Sequence, residues 1–366
     1  MQQLKKILIV VGTRPNFIKV TQFKKAALQY PGIEIRIVHT GQHYDRNMAQ
    51  VFFEQFDLAP DFYLDIDASS PAEQMAEIMT GLSRLIESSY TPGLMIVVGD
   101  VNSTMAAAVV ANKLNIKLAH LESGLRSFDR SMPEEHNRIV TDQLSDYFFI
   151  TEQSGYDHLK NEGKNTDQLY FVGNTMIDTM VAFEEKIKHN TIEEQLKVQA
   201  GNYVLMTIHR PSNVDNREGL EELFSLIVYI SQRNKVIFPI HPRTTKQLHA
   251  FNMQEQFDGL ESLILCEPLD YFAFQKLIAG CRYVLTDSGG IQEETTFRKK
   301  PCLTIRPNTE RPSTIDTGTN TLVEWDFELI KEQIDKIEVG TYKQGNIPPL
   351  WDGKSTERIM QIIAEL

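Results

Sequence analysis

The run Tyr283-Val284-Leu285-Thr286-Asp287-Ser288-Gly289-Gly290-Ile291-Gln292-Glu293-Glu294 decides how the chain is read. A β-branched, apolar segment ends in a polar turn with paired glycines, and a helical pattern begins at once. That is a strand leading through a tight turn into a helix N-terminus, where the first backbone N–H groups lack intrahelical partners and the helix dipole favours an anion. Ser288 adds an N-cap hydroxyl, while Gly289 and Gly290 let a bulky diphosphate approach the backbone. Glu294, about one and a half turns further on, is placed for a ribose diol if a nucleotide sits there. The plainer alternative is an ordinary capped helix whose Glu293 and Glu294 complement the dipole.

Outward from this run the same alternation recurs along the chain, which predicts parallel sheets wound by helices. In the first half, strands are expected at Ile7–Val11, Ile33–Val38, Met95–Val98, Lys117–His120 and Tyr147–Ile150. Helices are expected between them at Asn16–Gln29, Asp45–Phe56, Pro71–Ser89, Ser103–Leu114 and Glu134–Leu144. In the second half the strands are Tyr203–Thr207, Lys235–Pro239, Leu263–Leu265, Tyr283–Leu285 and Cys302–Ile305, with helices near Arg217–Gln232, Thr244–Phe251, Tyr271–Ala279 and Ile291–Arg298. The fold class is α/β: two Rossmann-like domains facing across a cleft. The expected division is 1–173 for the first domain and 174–353 for the second. The last helix, 354–366, is expected to pack back on the first domain.

Composition bounds the function. The 366 residues are 42% hydrophobic and 23% charged, a globular balance, and the net charge of −12 argues against a nucleic-acid surface. No apolar run reaches the length of a membrane span. The start, Met-Gln-Gln-Leu-Lys-Lys, runs directly into a short strand and carries no signal-peptide pattern, so a cytoplasmic protein is expected. Cys266, Cys281 and Cys302 are widely spaced and odd in number, which suits buried free thiols in a reducing compartment.

In open parallel sheets ligands sit beyond the carboxyl ends of the strands, so the loops there are the informative ones. Gly12-Thr13-Arg14-Pro15-Asn16-Phe17-Ile18-Lys19 is neither a dinucleotide fingerprint nor a Walker A loop, and the next strand ends without a ribose-binding acid. NAD is therefore not expected, and no cofactor is. Arg14 and Lys19 instead bring two cations to a strand end. Gly99-Asp100 follows the third strand, where an N-cap is the commoner role for Asp100. Glu122 directly follows the fourth strand, and Glu134 sits behind Pro133 at a helix start. Asp100, Glu122 and Glu134 together form a plausible acid/base group. In the second half, Ile208-His209-Arg210-Pro211 and Ile240-His241-Pro242-Arg243 each put a His just after a strand, without a zinc-ligand pattern. Arg306 and Arg311 close the set beside the opening run.

Taken together, these residues resemble the non-hydrolysing UDP-N-acetylglucosamine 2-epimerases. The matching pieces are Gly12-Thr13-Arg14-Pro15 with Lys19, Gly99-Asp100, His120-Leu121-Glu122-Ser123-Gly124-Leu125-Arg126, Pro133-Glu134-Glu135-His136-Asn137-Arg138, Gly173-Asn174-Thr175, His209-Arg210, Pro239-Ile240-His241, Thr286–Glu294 and Thr309-Glu310-Arg311-Pro312. They span nearly the whole chain in order. The resemblance implies a glycosyltransferase-B-like architecture, a UDP-sugar substrate and a homodimer. It implies Asp100, Glu122 and Glu134 as catalytic carboxylates, with His209 beside the sugar and phosphate. Arg14, Ser288, Gly289 and Gly290 would hold the diphosphate and Glu294 the ribose, with Lys19, Arg138, His241 and Arg311 lining the site. Two departures stand out: Asn16 replaces a Glu of many bacterial members, and the segment Asp67–Ala72 lacks an Arg-Gln pair that contributes to a second, regulatory UDP-sugar site. Gln42, Glu135 and Arg210 could supply part of that site, and no strong requirement for substrate as activator is expected.

The chemistry accounts for these residue types. The C2 proton of an N-acetylhexosamine has no carbonyl or imine beside it, so direct deprotonation is too costly. If the C1–O bond to UDP breaks first or concurrently, oxocarbenium character at C1 acidifies it. Elimination then yields UDP and a 2-acetamidoglucal, and re-addition with a proton on the other face inverts C2. The rival readings are a hydrolysing relative that releases UDP and N-acetylmannosamine, a two-domain glycosyltransferase, and a catalytically silent nucleotide-sugar sensor.

Overall fold

Leu94-Met95-Ile96-Val97-Val98 is buried at all five positions, the signature of a strand covered on both faces, and it forms β4 near the middle of a seven-stranded sheet. The computed structural model describes residues 4–41, 53–68 and 70–366. Within them the chain divides into two compact units, one comprising residues up to Ala182 together with Pro349–Leu366, the other Phe183–Pro348. The first unit thus runs past the expected position 173, because the helix Thr175–Ala182 belongs to it.

The first sheet has the order β3 (Phe62–Tyr63), β2 (Ile33–His39), β1 (Lys5–Val11), β4, β5 (Lys117–Leu121), β6 (Tyr147–Ile150), β7 (Leu169–Phe171), and all its pairings are parallel. The second has the order β10 (Leu263–Cys266), β9 (Lys235–Pro239), β8 (Tyr203–Thr207), β11 (Val284–Thr286), β12 (Cys302–Thr304), β13 (Asn320–Leu322), again parallel throughout. Each reproduces the doubly wound Rossmann order, in which the winding reverses beside the first strand and ligands bind beyond the carboxyl ends at that switch point. The switch points fall between β1 and β4 and between β8 and β11.

Helices cover both faces. Ser70 accepts a hydrogen bond from the Glu73 N–H, Pro71 occupies the first turn, and Ile78, Leu82 and Ile86 recur one turn apart on the buried face of Pro71–Ser88. Leu82 and Ile86 pack into a cluster with Leu8, Val38 and Val97, where each buried aliphatic contributes about 1.5–3 kcal/mol. The expected single helix Asn16–Gln29 is instead two short ones, Arg14–Ile18 and Phe23–Ala27, broken where Lys19 turns inward to a buried partner. The expected Asp45–Phe56 helix lies mostly outside the described residues.

The C-terminal helix Ser355–Glu365 belongs to the first unit. Asp178 caps its start, accepting from the Ser355 and Thr356 N–H groups, and Lys5 Nζ donates to the Ile363 and Ala364 carbonyls at its end. Buried Trp351 donates to the Thr151 carbonyl at 2.9 Å, anchoring the segment that precedes it.

Candidate active site

In the first unit Asp100 and Glu122 stand beyond the carboxyl ends of β4 and β5, beside the switch point. Asn16, where many bacterial relatives were expected to have Glu, ties the strand ends together: its Oδ1 accepts from the Gly12 N–H and the Thr13 hydroxyl, and its Nδ2 donates to the Val98 carbonyl at 3.1 Å. Glu122 leaves β5 with φ of +74°, a left-handed backbone that a non-glycine residue adopts only when its surroundings enforce it. Its backbone N–H is fixed by the Phe149 carbonyl at 3.0 Å. Its carboxylate accepts from Lys19 Nζ in a salt bridge whose partners are only 5% and 6% exposed. Gly99, at φ +64°, makes this possible, because a Cβ there would lie 3.2 Å from Glu122 Oε2 and 3.3 Å from Asn16 Nδ2.

Asp100 is not the N-cap of the helix that follows; Val101 holds that position. The Asp100 carboxylate pairs with buried Arg138, and its backbone carbonyl accepts from Asn137 Nδ2 at 2.8 Å. Arg138 also pairs with Glu135 at 3.0 Å. Glu135, expected at a second ligand site, is 1% exposed and accepts from the Ser127 N–H and hydroxyl and the Phe128 N–H. Burial alone would raise its pKa, but these donors and Arg138 hold the carboxyl below its ordinary range. Glu134, on the first turn of the helix Pro133–Leu144, is half-buried, and its carboxylate makes no hydrogen bond among the described residues. Arg14 is exposed at the start of its helix, and Gln42 lies outside the described residues.

In the second unit the organising residue is one the sequence reading quoted but assigned no role, Asp287. Fully buried, it accepts from the backbone N–H of His209 at 2.9 Å and of Arg210 at 2.7 Å, and from Asn213 Nδ2 at 2.9 Å. Its other oxygen lies 2.9 Å from His209 Nδ1. The carboxyl is pulled below its ordinary range by His209 and these backbone donors, against the opposing effect of burial. With Nδ1 facing Asp287, Nε2 of His209 is the ring nitrogen turned away from that carboxylate. The two histidines expected in equivalent places do come together, ring centroids 5.3 Å apart. His241 caps the helix Pro242–Ala250, its Nδ1 accepting from the Arg243 N–H, and its pKa is lowered by burial, by His209 and by Arg243.

Ser288 is the N-cap of the helix Gly289–Phe297, but its hydroxyl makes no capping bond. Ser288 thus holds the expected N-cap position without spending its hydroxyl on the helix. Against Gly289 sits a charged cluster: a Cβ there would lie 3.1 Å from Glu310 and 3.2 Å from Arg311. Arg311 pairs with Glu293 at 2.8 Å and with Glu310, which also reaches Arg306 at 3.2 Å. Arg306 stood beside Arg311 in the sequence-level set, whereas Glu293 and Glu310 had no expected site role; only their closeness in sequence to Gly289 and Arg311 hinted at them.

Glu294, 7% exposed, has its carboxyl pushed up to about 8 by burial and by neighbouring Glu293. The unfolded value is about 4.3. Between those two values the folded state binds more protons than the unfolded one, so this group's contribution to stability declines as pH rises through that window and levels off above it. Glu294→Gln is therefore expected to raise the melting temperature relative to the parent, by more above pH 8 than at pH 5. Equal shifts at both pH values would contradict this.

No group of three or more His, Cys, Asp or Glu side chains placed to hold a metal ion occurs among the described residues. No helix among them is long and apolar enough to cross a membrane.

Two Rossmann-ordered units with charged side chains gathered at both switch points define a two-domain α/β protein of the glycosyltransferase-B-like type. The chain belongs to the UDP-N-acetylglucosamine 2-epimerase family, whose profile matches residues 25–364. It is 38% identical over 365 residues to the UDP-N-acetylglucosamine 2-epimerase of Methanocaldococcus jannaschii, covering 98% of each chain. It is 36% identical to the UDP-2,3-diacetamido-2,3-dideoxy-D-glucuronate 2-epimerase of Pseudomonas aeruginosa, covering 99% of this chain and 100% of that one. Among solved structures, the M. jannaschii enzyme in complex with UDP-GlcNAc and UDP superposes with a TM-score of 0.88 at 37% identity, covering 99% of this chain and 100% of that one. The Neisseria meningitidis enzyme bound to UDP-GlcNAc also reaches 0.88, at 28% identity and the same coverage.

Proposed function

We propose that this chain interconverts UDP-GlcNAc and UDP-ManNAc by eliminating UDP and adding it back, without net hydrolysis. The observation that carries this reading is the Lys19–Glu122 pair, a buried carboxylate set on left-handed backbone at a switch point. In the forward half-reaction a carboxylate takes the C2 proton, the C–H electrons form the C1=C2 bond, and the C1–O electrons leave with UDP. In the return half-reaction UDP oxygen re-forms the bond to C1 and a second carboxylate delivers a proton to the opposite face of C2. Asp100, Glu122 and Glu134 are the groups that move these protons, with Lys19 and Arg138 orienting the first two.

The departing diphosphate is taken by Arg14 and by the Ser288-Gly289-Gly290 turn, whose unbonded hydroxyl and helix N-terminus suit developing negative charge. His209, His241 and Arg311 line the same chemistry, and Glu294, neutral or charged near pH 8, meets the ribose. Gln42, Glu135 and Arg210 are the remnants of a second UDP-sugar site; with the Glu135 carboxylate committed to Ser127, Phe128 and Arg138, substrate activation is weak. The free thiols, raised to between about 11 and about 12 by burial, fit a reducing cytoplasm, where a homodimer would feed surface-polysaccharide synthesis.

The test is incubation with UDP-GlcNAc in D₂O followed by proton NMR. The expected result is deuterium at C2 and a mixture of two intact UDP-sugars with only traces of free UDP. Stoichiometric UDP with free N-acetylmannosamine would make the chain a hydrolase. Absence of C2 exchange in any UDP-N-acetylhexosamine would remove the epimerase reading.

A further inference from the structure

His120 lies in β5, with no solvent exposure. Its Nε2 is 2.8 Å from the Gly99 carbonyl and its Nδ1 is 2.6 Å from Asp142 Oδ1. A backbone carbonyl can only accept, so Nε2 must carry a proton. Asp142, itself fully buried, receives Arg126 at 2.7 Å and the Gly124 N–H at 3.2 Å on its other oxygen, which marks it as an ionised carboxylate and so a second obligate acceptor. A flipped ring would put carbon at both places and lose both bonds.

We propose that His120 is a buried positioning residue that holds the Gly99–Asp100 turn, and with it the Asp100 and Glu122 carboxylates, in register for proton transfer. The Gly99 peptide is gripped on both sides: its N–H donates to the Leu121 carbonyl at 3.0 Å and its carbonyl accepts from His120. Gly99 in turn packs against Glu122 Oε2 and Asn16, and the next residue carries the carboxylate bound by Arg138. The imidazole, Asp142, Arg126 and Glu162 form a continuous buried polar chain, Arg126 reaching Glu162 at 2.8 Å, so the Asp142 charge is compensated. In keeping with this, His120 and Arg126 hold the Asp142 carboxyl below its ordinary range although burial pushes the other way.

This inference rests on the epimerase reading for its kinetic consequence but not for its spectroscopic one. In the parent protein labelled with ¹⁵N-histidine, the His120 Nε2 is expected to carry a proton hydrogen-bonded to the Gly99 carbonyl; a bare Nε2 would overturn the proposal whatever the enzyme does. Two variants separate positioning from packing. His120→Gln keeps a donor near the Nε2 position and thus near the Gly99 carbonyl, whereas His120→Asn keeps only one near Nδ1. The expected kcat loss is about 100-fold for Asn and about 10-fold or less for Gln, with KM and UDP affinity within about threefold of the parent. Equal activity of both variants and the parent would overturn the proposal. So would equal losses in both accompanied by lost UDP binding, which a merely structural role would produce. Failure of the parent itself to exchange the C2 proton would strike the epimerase reading and leave the ¹⁵N result standing.

Discussion

Glu122→Gln is expected to lower kcat by about 10²–10⁴-fold while leaving UDP affinity within about threefold of the parent. The amide keeps the size and shape of the carboxylate, so the left-handed backbone at this position and the packing against Gly99 survive. What it loses is the capacity to take a proton from carbon and the charge that pairs with Lys19. Removing one member of a buried ion pair leaves the other uncompensated, a loss that reaches about 3–5 kcal/mol when nothing replaces the contact. The Gln carbonyl still accepts from the ammonium, so the melting temperature should fall by less than in Glu122→Ala. Steady-state kinetics, UDP titration and thermal unfolding on the same samples check all three statements. Turnover near the parent's would take Glu122 out of proton transfer.

Asp287→Asn is the second large effect, and it acts through His209. Three donors converge on Asp287 Oδ2, from the His209 and Arg210 backbones and Asn213, while Oδ1 faces His209 Nδ1. An amide keeps one acceptor oxygen and adds an NH₂ that can only donate. If the oxygen stays with the three donors, the NH₂ points at His209 Nδ1 and forces the proton onto Nε2, the nitrogen that the proposed mechanism turns to the ligand. An analogous swap in a serine-protease Asp-His pair lowers kcat about 10⁴-fold through the wrong tautomer. Here a loss of about 10²–10⁴-fold is expected, with UDP binding weakened far less. Asp287→Ala leaves several buried donors unmatched, at about 1–3 kcal/mol each, and is expected to unfold at markedly lower temperature. Because the folded-state Asp287 carboxyl lies below its unfolded value, the stability it provides is complete above the unfolded pKa of about 3.9 and is lost as pH falls through the folded value. Acid unfolding of Asp287→Asn should therefore be less steep than that of the parent. A variant with the parent's kcat would show that Asp287 supports the turn without governing the His209 tautomer.

These two residues also show what could be read from the sequence and what could not. Strand ends were legible because parallel strands buried on both faces are continuous apolar runs, and the residue following such a run is placed by geometry. That is why Gly99-Asp100, Glu122, His209 and the Ser288 turn could be located beforehand. The edge strands Phe62–Tyr63, Leu169–Phe171 and Asn320–Leu322 are two or three residues long and not uniformly buried, so no apolar run announced them. The helix Gln153–Asn161 buries only Gly155 and Leu159, too short a stripe to announce it, whereas Phe327–Glu338 buries Ile330, Ile334 and Ile337 at helical spacing and its sequence does carry the signal.

Partnerships were less legible still. Lys19 and Glu122 are separated by 103 positions, and nothing in local spacing joins them. Lys19 could be read as a cation at a strand end, yet its inward turn, which breaks the first helix, exists only because Glu122 waits in the core. Asp287 stood in the decisive run from the start. Its role depends on β8 and β11 being neighbours, a fact of topology that sequence alone leaves open.

In the proposed mechanism the bond between C1 and UDP breaks before C2 is inverted. This order is tested most directly with UDP-GlcNAc carrying ¹⁸O in the oxygen that bridges C1 and the β-phosphorus. If UDP is set free in the site and returns, torsional rotation of the β-phosphate carries the label into non-bridging positions, and ³¹P NMR should show this scrambling in recovered substrate as well as in product. Label retained wholly in the bridge while deuterium enters C2 would mean that the carbon is deprotonated with the anomeric linkage intact, and would contradict the account.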